Sequence, residues 1–299
     1  MRLRPPRTRR PHAVVQNLLV GVAAVLCVGA RVVPGRDAAG DTRSPATRAT
    51  GTWLRGTPAL TPALSYVSAA TGVAVDAARP ADAHAAETTT ALAALGSAVR
   101  ALSHPRALED AFRSYFAYRA AHPEAGTKPY LYFVDYGLPS STPRGYVFDM
   151  AALRVVEGPF TVAHGRGSAA SPEGVPRRFS NAAGSASTSL GLYVAQELYA
   201  FRGTAGGRTY RSIGLRLAGV SGAFNSNARA RGVVAHGAPY VTAAKAGRSE
   251  GCPAVEPARA ERLLPKLAHG GLVFLFAPDA RWMGRDPWVA ADVRVADAG

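Results

Sequence analysis

The stretch GVVAHGAPYVTAAKAGRSEGCPAV, residues 232–255, decides how the rest of the chain is read. It opens as an apolar, strand-like run, Val233-Val234-Ala235, and stops at His236-Gly237. Sixteen positions after the histidine comes Cys252, in the run Gly247-Arg-Ser-Glu-Gly-Cys252, the only cysteine beyond the first thirty residues. Cysteine attacks carbonyl carbon as the thiolate, and a free thiol pKa of about 8.5 leaves little thiolate at neutral pH. A neighbouring imidazole that takes the proton, giving a thiolate–imidazolium pair, removes that obstacle. A histidine that ends a strand at a glycine belongs at a sheet rim, facing a cleft. Gly251 lets the backbone turn closely, so the amides of Gly251 and Cys252 can face a developing oxyanion. Ser249 is placed to hold the loop by a side-chain-to-backbone bond. On residue types alone, a buried inert thiol competes for Cys252, and a core or capping role competes for His236.

Outward from this stretch the period of the apolar residues is mostly two. Runs at 130–135, 145–149, 158–164, 189–195, 214–218 and 232–235 read as strands separated by Gly- and Pro-rich turns. Glu256 to His269 reads as a helix opened by Pro257 and closed by Gly270-Gly271, followed by a buried strand at 272–276. Upstream, Leu92, Leu95, Val99 and Leu102 recur at helical spacing. Ser103 then caps a second helix, with Pro105 in its first turn. Many short strands and one late helix predict a mainly-β, α+β domain. The expected form is a sandwich or barrel at 125–278, with a helical pair at 88–124 packed on it. Residues 31–87 read as an Ala/Pro/Thr/Arg-rich linker, and 279–299 as a loose tail in which Trp282 and Trp288 can pack.

The 299 residues carry a formal charge of +15, from 32 Arg and 3 Lys against 20 acids. No basic run interleaved with aromatics occurs, which argues against nucleic acid; an anionic cell-wall polymer or membrane surface fits the sign. Residues 1–30 have a basic head, an apolar middle at 13–30 and a small-residue exit at Val28-Gly29-Ala30. That is an export signal or, uncleaved, a membrane tether. Export leaves Cys252 as the lone thiol.

With these residues on the page, the chain resembles the YkuD-type L,D-transpeptidases, in particular the murein L,D-transpeptidase catalytic domain family. The resemblance rests on His236-Gly237, a spacer of about fifteen residues and Ser249-x-Gly251-Cys252. It extends to Val134-Asp135-Tyr136, Val162-Ala-His-Gly-Arg-Gly-Ser168, Phe179-Ser180-Asn181, Ser189-Leu-Gly-Leu-Tyr193, Leu215-Arg-Leu217, Asn225–Arg231 and Gly247-Arg-Ser249. It implies a cysteine acyltransferase on peptidoglycan stem peptides. Cys252 forms a thioester with loss of D-alanine, His236 acts as base with its ring oriented by a carbonyl near Gly237, and no metal or cofactor takes part. An amine of a second stem would resolve the thioester. Water as acceptor (a carboxypeptidase or endopeptidase) and a catalytically idle wall-binding module stay open.

Two positions depart from the commoner pattern: Glu250 stands where His is usual, and Pro253 stands where no Arg follows the cysteine. Carboxylate recognition then falls to Arg248 or Arg231. His164 and Tyr240 are expected to line the cleft. A zinc site of His164, His236 and Cys252 is disfavoured, because no ligand pair has helical or CxxC spacing. Asp135 and Asp149 read as structural, and the Arg208–Arg216 cluster as a solvated face. We expect a monomer, exported to the periplasm or cell envelope.

Overall fold

The computed structural model describes residues 80–125 and 128–290. The expected signal or tether at 1–30 and the linker to residue 79 lie outside the described residues. Helix α1 (Pro80–Leu95) begins inside the segment read as linker. Its sequence, PADAHAAETTTALAAL, is rich in alanine, the best helix former, and opens on proline at the first helical position. Helix α2 (Ala107–Ala121) follows, burying Leu108, Ala111, Phe112, Tyr115 and Tyr118 along one stripe. Ser103 does not cap it; Arg106 is the N-cap and makes no side-chain bond there. Ser103 instead donates its N–H (2.7 Å) and hydroxyl (2.6 Å) to the buried carboxylate of Asp135. A buried carboxylate left without donors costs more than an uncapped helix, so Asp135 takes the serine.

The strands are β1 (Tyr130–Asp135), β2 (Gly145–Asp149), β3 (Arg154–Phe160), β4 (His164–Gly165), β5 (Gly191–Ala205), β6 (Arg208–Gly219), β7 (Val234–Gly237), β8 (Arg248–Ser249), β9 (Ala254–Val255) and β10 (Leu272–Phe276). Helix α3 (Pro257–Leu267) joins β9 to β10, and α4 (Ala280–Met283) follows β10. Eight strands form one mixed sheet in the order β3-β2-β1-β10-β5-β6-β7-β9, while β4 and β8 pair separately in parallel. The strand expected at 158–164 is divided between β3 and β4. The strands expected at 189–195 and 214–218 are the ends of one long hairpin, β5–β6. It turns at Gly206 and Gly207, whose φ of +56° and +75° only glycine adopts freely.

Side chains alternate between two environments along the sheet. On one face Phe148 meets Phe112 of α2 edge-on, with centroids 5.3 Å apart. On the other, Arg259 of α3 lies 4.5 Å above Phe160, and α3 buries Ala260, Leu263, Leu264 and Leu267. The sheet curls round α3 until its edges approach. The chain leaving β3 crosses to β9, where the Ala163 N–H donates to the Ala254 carbonyl at 2.8 Å. Glu157 of β3 accepts from Arg259 and Arg262 of α3, each at 2.9 Å. The domain is thus mainly β within an α+β class, barrel-like in its curl, with a helical pair on one face.

Residues 279–290 are not a loose tail. Trp282 is 1% exposed and packs on Phe274 and Phe276 of β10, while its indole N–H donates to Asp286 at 2.7 Å. Trp288 packs on Tyr118 of α2 and donates to the Val220 carbonyl at 2.8 Å. Each indole buries a large apolar face and finds an acceptor for its N–H, which fixes the segment on the sheet.

Candidate active site

His236 and Cys252 are set by the pairing of β7 with β9. That pair is parallel, with His236 opposite Ala254 and Gly237 opposite Val255. Continued two residues upstream, the register sets Cys252 beside Val234, about 7 Å along the strand from His236 at the usual rise. The Cys252 sulfur lies 3.9 Å from the Gly232 carbonyl, over the start of β7. The histidine is 3% exposed, and its ring stacks on Phe201 of β5 at 4.1 Å. Its Nδ1 lies 3.0 Å from the Gly237 carbonyl, which can only accept, so Nδ1 carries the proton and Nε2 holds the free lone pair. Gly237 also matters for packing: a Cβ there would come within 2.4 Å of Ser212 and 2.9 Å of the Pro257 backbone, so it lets α3 and β6 close beside His236.

The turn before Cys252 is stapled by Ser249. Its hydroxyl donates to the Cys252 carbonyl at 2.7 Å and accepts the Gly251 N–H at 3.1 Å. This corrects the expected oxyanion pair, because the Gly251 amide is already engaged. The Cys252 amide donates to no protein acceptor among the described residues. Gly251 has φ +126°, and a Cβ on it would stand 2.8 Å from the Ser187 carbonyl, so the turn requires glycine for conformation and for space.

Burial raises the Cys252 thiol to about 11, with Glu250 adding to the rise; the Val234 backbone N–H and the Arg231 charge oppose it. Burial also lowers His236 to about 4, against the Gly237 hydrogen bond. Both shifts favour a neutral thiol and a neutral imidazole over an ion pair.

The expected substrate-binding residues have different fates. Arg231 is spent on the loop at 180–189. It donates to the carbonyls of Ser187 (2.7 Å) and Ser180 (2.8 Å) and to the hydroxyls of Ser189 (3.2 Å) and Ser185 (3.3 Å). All four acceptors are neutral, so its charge is left to act on Cys252. Arg248 is exposed and reaches the Ala170 carbonyl at 3.3 Å. Tyr240 is half-buried and packs edge-on against Tyr210 at 6.4 Å, extending an aromatic wall that runs through Phe201 to His236.

His164 is not a cleft residue. It is fully buried, and the guanidinium of Arg144 lies 3.0 Å from its Nδ1. Arg144, itself buried, also donates to the Val162 carbonyl at 2.7 Å and lies over Tyr136 at 4.7 Å. Burial first, then the charges of Arg144 and Arg248, hold His164 down at about 3, so it stays neutral.

Residue-type reasoning passed over Phe201, Arg144, Ser187 and Arg166. Phe201 was visible as the second aromatic in the alternation Tyr199-Ala-Phe201; the other three announce themselves only through the tertiary fold. Arg166 binds Glu250, its Nε reaching both carboxylate oxygens at 2.7 and 2.9 Å. The two line a cavity of about 420 Å³ with Arg231, Ala186 and Ala230. A larger cavity of about 510 Å³ lies between Phe179, Phe224 and Trp282, and neither cavity has Cys252 or His236 in its lining.

The profile of the L,D-transpeptidase catalytic domain matches residues 101–276, more than half of the chain. The chain belongs to that family. Among solved structures, it is similar to an L,D-transpeptidase from Mycobacterium smegmatis, at 14% identity and a TM-score of 0.30, covering 50% of this chain and 59% of that one. It is also similar to the L,D-transpeptidase (residues 123–326) from Xylanimonas cellulosilytica DSM 15894, at 15% identity and a TM-score of 0.30, covering 52% and 63%. A third similar structure is the Ldtfm–avibactam carbamoyl enzyme, at 12% identity and a TM-score of 0.30, covering 51% and 49%. The chain thus spans about half to three fifths of these relatives. No curated protein matches it significantly.

Proposed function

We infer that the chain is a cysteine acyltransferase acting on peptidoglycan stem peptides. The observation that supports this reading is the parallel β7–β9 pair, which brings Cys252, just before β9, alongside β7, where His236 keeps a free Nε2. Cys252 gives its proton to His236 and attacks the carbonyl that precedes a D-alanine. The Cys252 amide faces the oxyanion, the carbon–nitrogen bond breaks, and D-alanine leaves with the proton from His236. An amine of a second stem then takes the acyl group. The Arg231 charge opposes the burial that raises the thiol. This activity belongs outside the cytoplasm, with residues 1–30 as signal or tether, a linker read over 31–87, and the catalytic domain read over 125–278, inside the family match at 101–276. No helix among the described residues is long and apolar enough to cross a membrane.

The test is intact-mass and product analysis with a stem tetrapeptide. The full chain should release D-alanine, carry a thioester on Cys252 and yield crosslinked dimers. Cys252→Ala should do none of these. An alanine variant that still releases D-alanine, or still takes up a carbapenem, would remove the nucleophile assignment. D-alanine release without dimers would make water the acceptor.

A further inference from the structure

The ion pair between Arg166 and Glu250 lines a cavity with Arg231, and Glu250 belongs to the turn that leads into Cys252. Glu250 is two residues from the nucleophile, in the turn that Ser249 staples, so its backbone is fixed while its side chain reaches outward. The pair is well formed, with both carboxylate oxygens on one guanidinium nitrogen. It is also open to solvent, with side chains 60% and 71% exposed. An exposed pair of this kind is cheaply broken by a competing ion. Its partners lie on separately held segments: Arg166 follows β4, Glu250 follows β8, and β4–β8 pair in parallel. The two charges are thus presented on a rigid ribbon, and either can be taken up by a ligand without moving the backbone. The remaining lining residues, Ala183, Gly184, Ala186 and Ala230, carry no charge, and Arg231 is committed to the 180–189 loop.

We propose that Glu250 is the specificity-determining residue for the acyl acceptor, drawing a cationic amine to the thioester and favouring it over water, with Arg166 as the counter-charge it leaves. The inference rests on the acyltransferase reading above. An acceptor amine is mostly an ammonium at neutral pH. An exposed carboxylate two residues from the thioester raises its local concentration and does nothing for water. The ammonium loses one proton to solvent, and the neutral nitrogen attacks the thioester carbonyl. The nitrogen–carbon bond forms and the carbon–sulfur bond breaks. The second proton passes from nitrogen through His236 to the departing sulfur.

The test measures partition, not rate. The full chain is acylated with a stem tetrapeptide. D-alanine release counts acylation, while amide and free acid are counted separately over a range of Nα-acetyl-lysine, whose ε-amine is the probe. Glu250→Gln should lower the amide-to-acid ratio about tenfold, the low end of electrostatic enrichment. Raising the salt should lower the wild-type ratio and leave the variant's alone. Arg166→Gln, which frees the carboxylate, should raise the ratio. A general folding defect would slow both products together and leave the ratio in place. D-alanine release with a ratio unmoved by Glu250→Gln, or with acid as the only wild-type product, would overturn this proposal alone. Absence of both release and adduct in the wild type would overturn the acyltransferase reading and this proposal with it.

Discussion

Replacing Arg231 by methionine separates the two contributions assigned to this residue. Methionine keeps much of the apolar stem and removes four hydrogen bonds. The hydroxyls of Ser185 and Ser189 can turn elsewhere; Ser189 already shares a bond with Tyr193 at 2.8 Å. The carbonyls of Ser187 and Ser180 cannot turn. An orphaned buried carbonyl costs about 1–3 kcal/mol. Ser187 is 5% exposed and belongs at the upper end, whereas Ser180 is half-buried and within reach of water. The sum is roughly 3–4 kcal/mol, a large part of the 5–15 kcal/mol that holds a typical domain together, yet short of unfolding it. Arg231 also stabilises the Cys252 thiolate, so its loss should push the thiol further above about 11 and slow its reaction at every pH. Urea unfolding followed by tryptophan fluorescence reads the first effect, and the rate of carbapenem labelling by intact mass reads the second. Arg231→Lys should recover labelling better than stability, because an ammonium restores the charge but not the four-way fork. A methionine variant that unfolds within about 0.5 kcal/mol of wild type and labels at the wild-type rate would refute both arguments.

Three further outcomes are expected. Gly251→Ala forces a side chain to φ +126° and to 2.8 Å from the Ser187 carbonyl, so it should lose labelling and about 1–3 kcal/mol of stability; a fully active alanine variant would contradict the turn geometry. Burial keeps His236 and His164 neutral in the fold, at about 4 and about 3, whereas the unfolded chain protonates both near 6.5. The unfolded chain then binds more protons in acid, so stability is complete above pH 6.5, is lost as pH falls from 6.5 toward the folded values, by roughly 3 kcal/mol per histidine at pH 4, and levels off below about 3. A Tm that stays level from pH 7 to pH 4 would contradict this. Trp282→Ala empties the space over Phe274 and Phe276 and should cost about 3–5 kcal/mol in denaturant unfolding; a loss below 1 kcal/mol would mean the 279–290 segment is dispensable.

Strands β1, β2 and β10 and helix α3 were legible because their burial is fixed locally: short apolar runs between turn residues leave one assignment. The proximity of Cys252, His236 and the Ser249 staple was legible because they sit within one short stretch. What escaped reading depends on partners distant in sequence. Ser103 caps nothing because Asp135, thirty-two positions away, needs its donors more. His164 left the cleft because Arg144 is buried beside it. Gly251 gave its amide to Ser249 rather than to the oxyanion, a choice between two nearby acceptors that residue types do not decide. The tail read as loose because it lacks a periodic run, yet two indoles with satisfied N–H groups were enough to fix it.

The place of β10 sets when the sheet can close. It lies mid-sheet between β1 and β5, and its Leu272 pairs with Leu131, 141 positions earlier. Neither half of the sheet can join the other until residues 272–276 are in place, and Trp282 then seals the face over them. Until that happens β1 and β5 each keep an unpaired edge. Long-range closure of this kind is slow, so the two halves of the sheet are united late in folding.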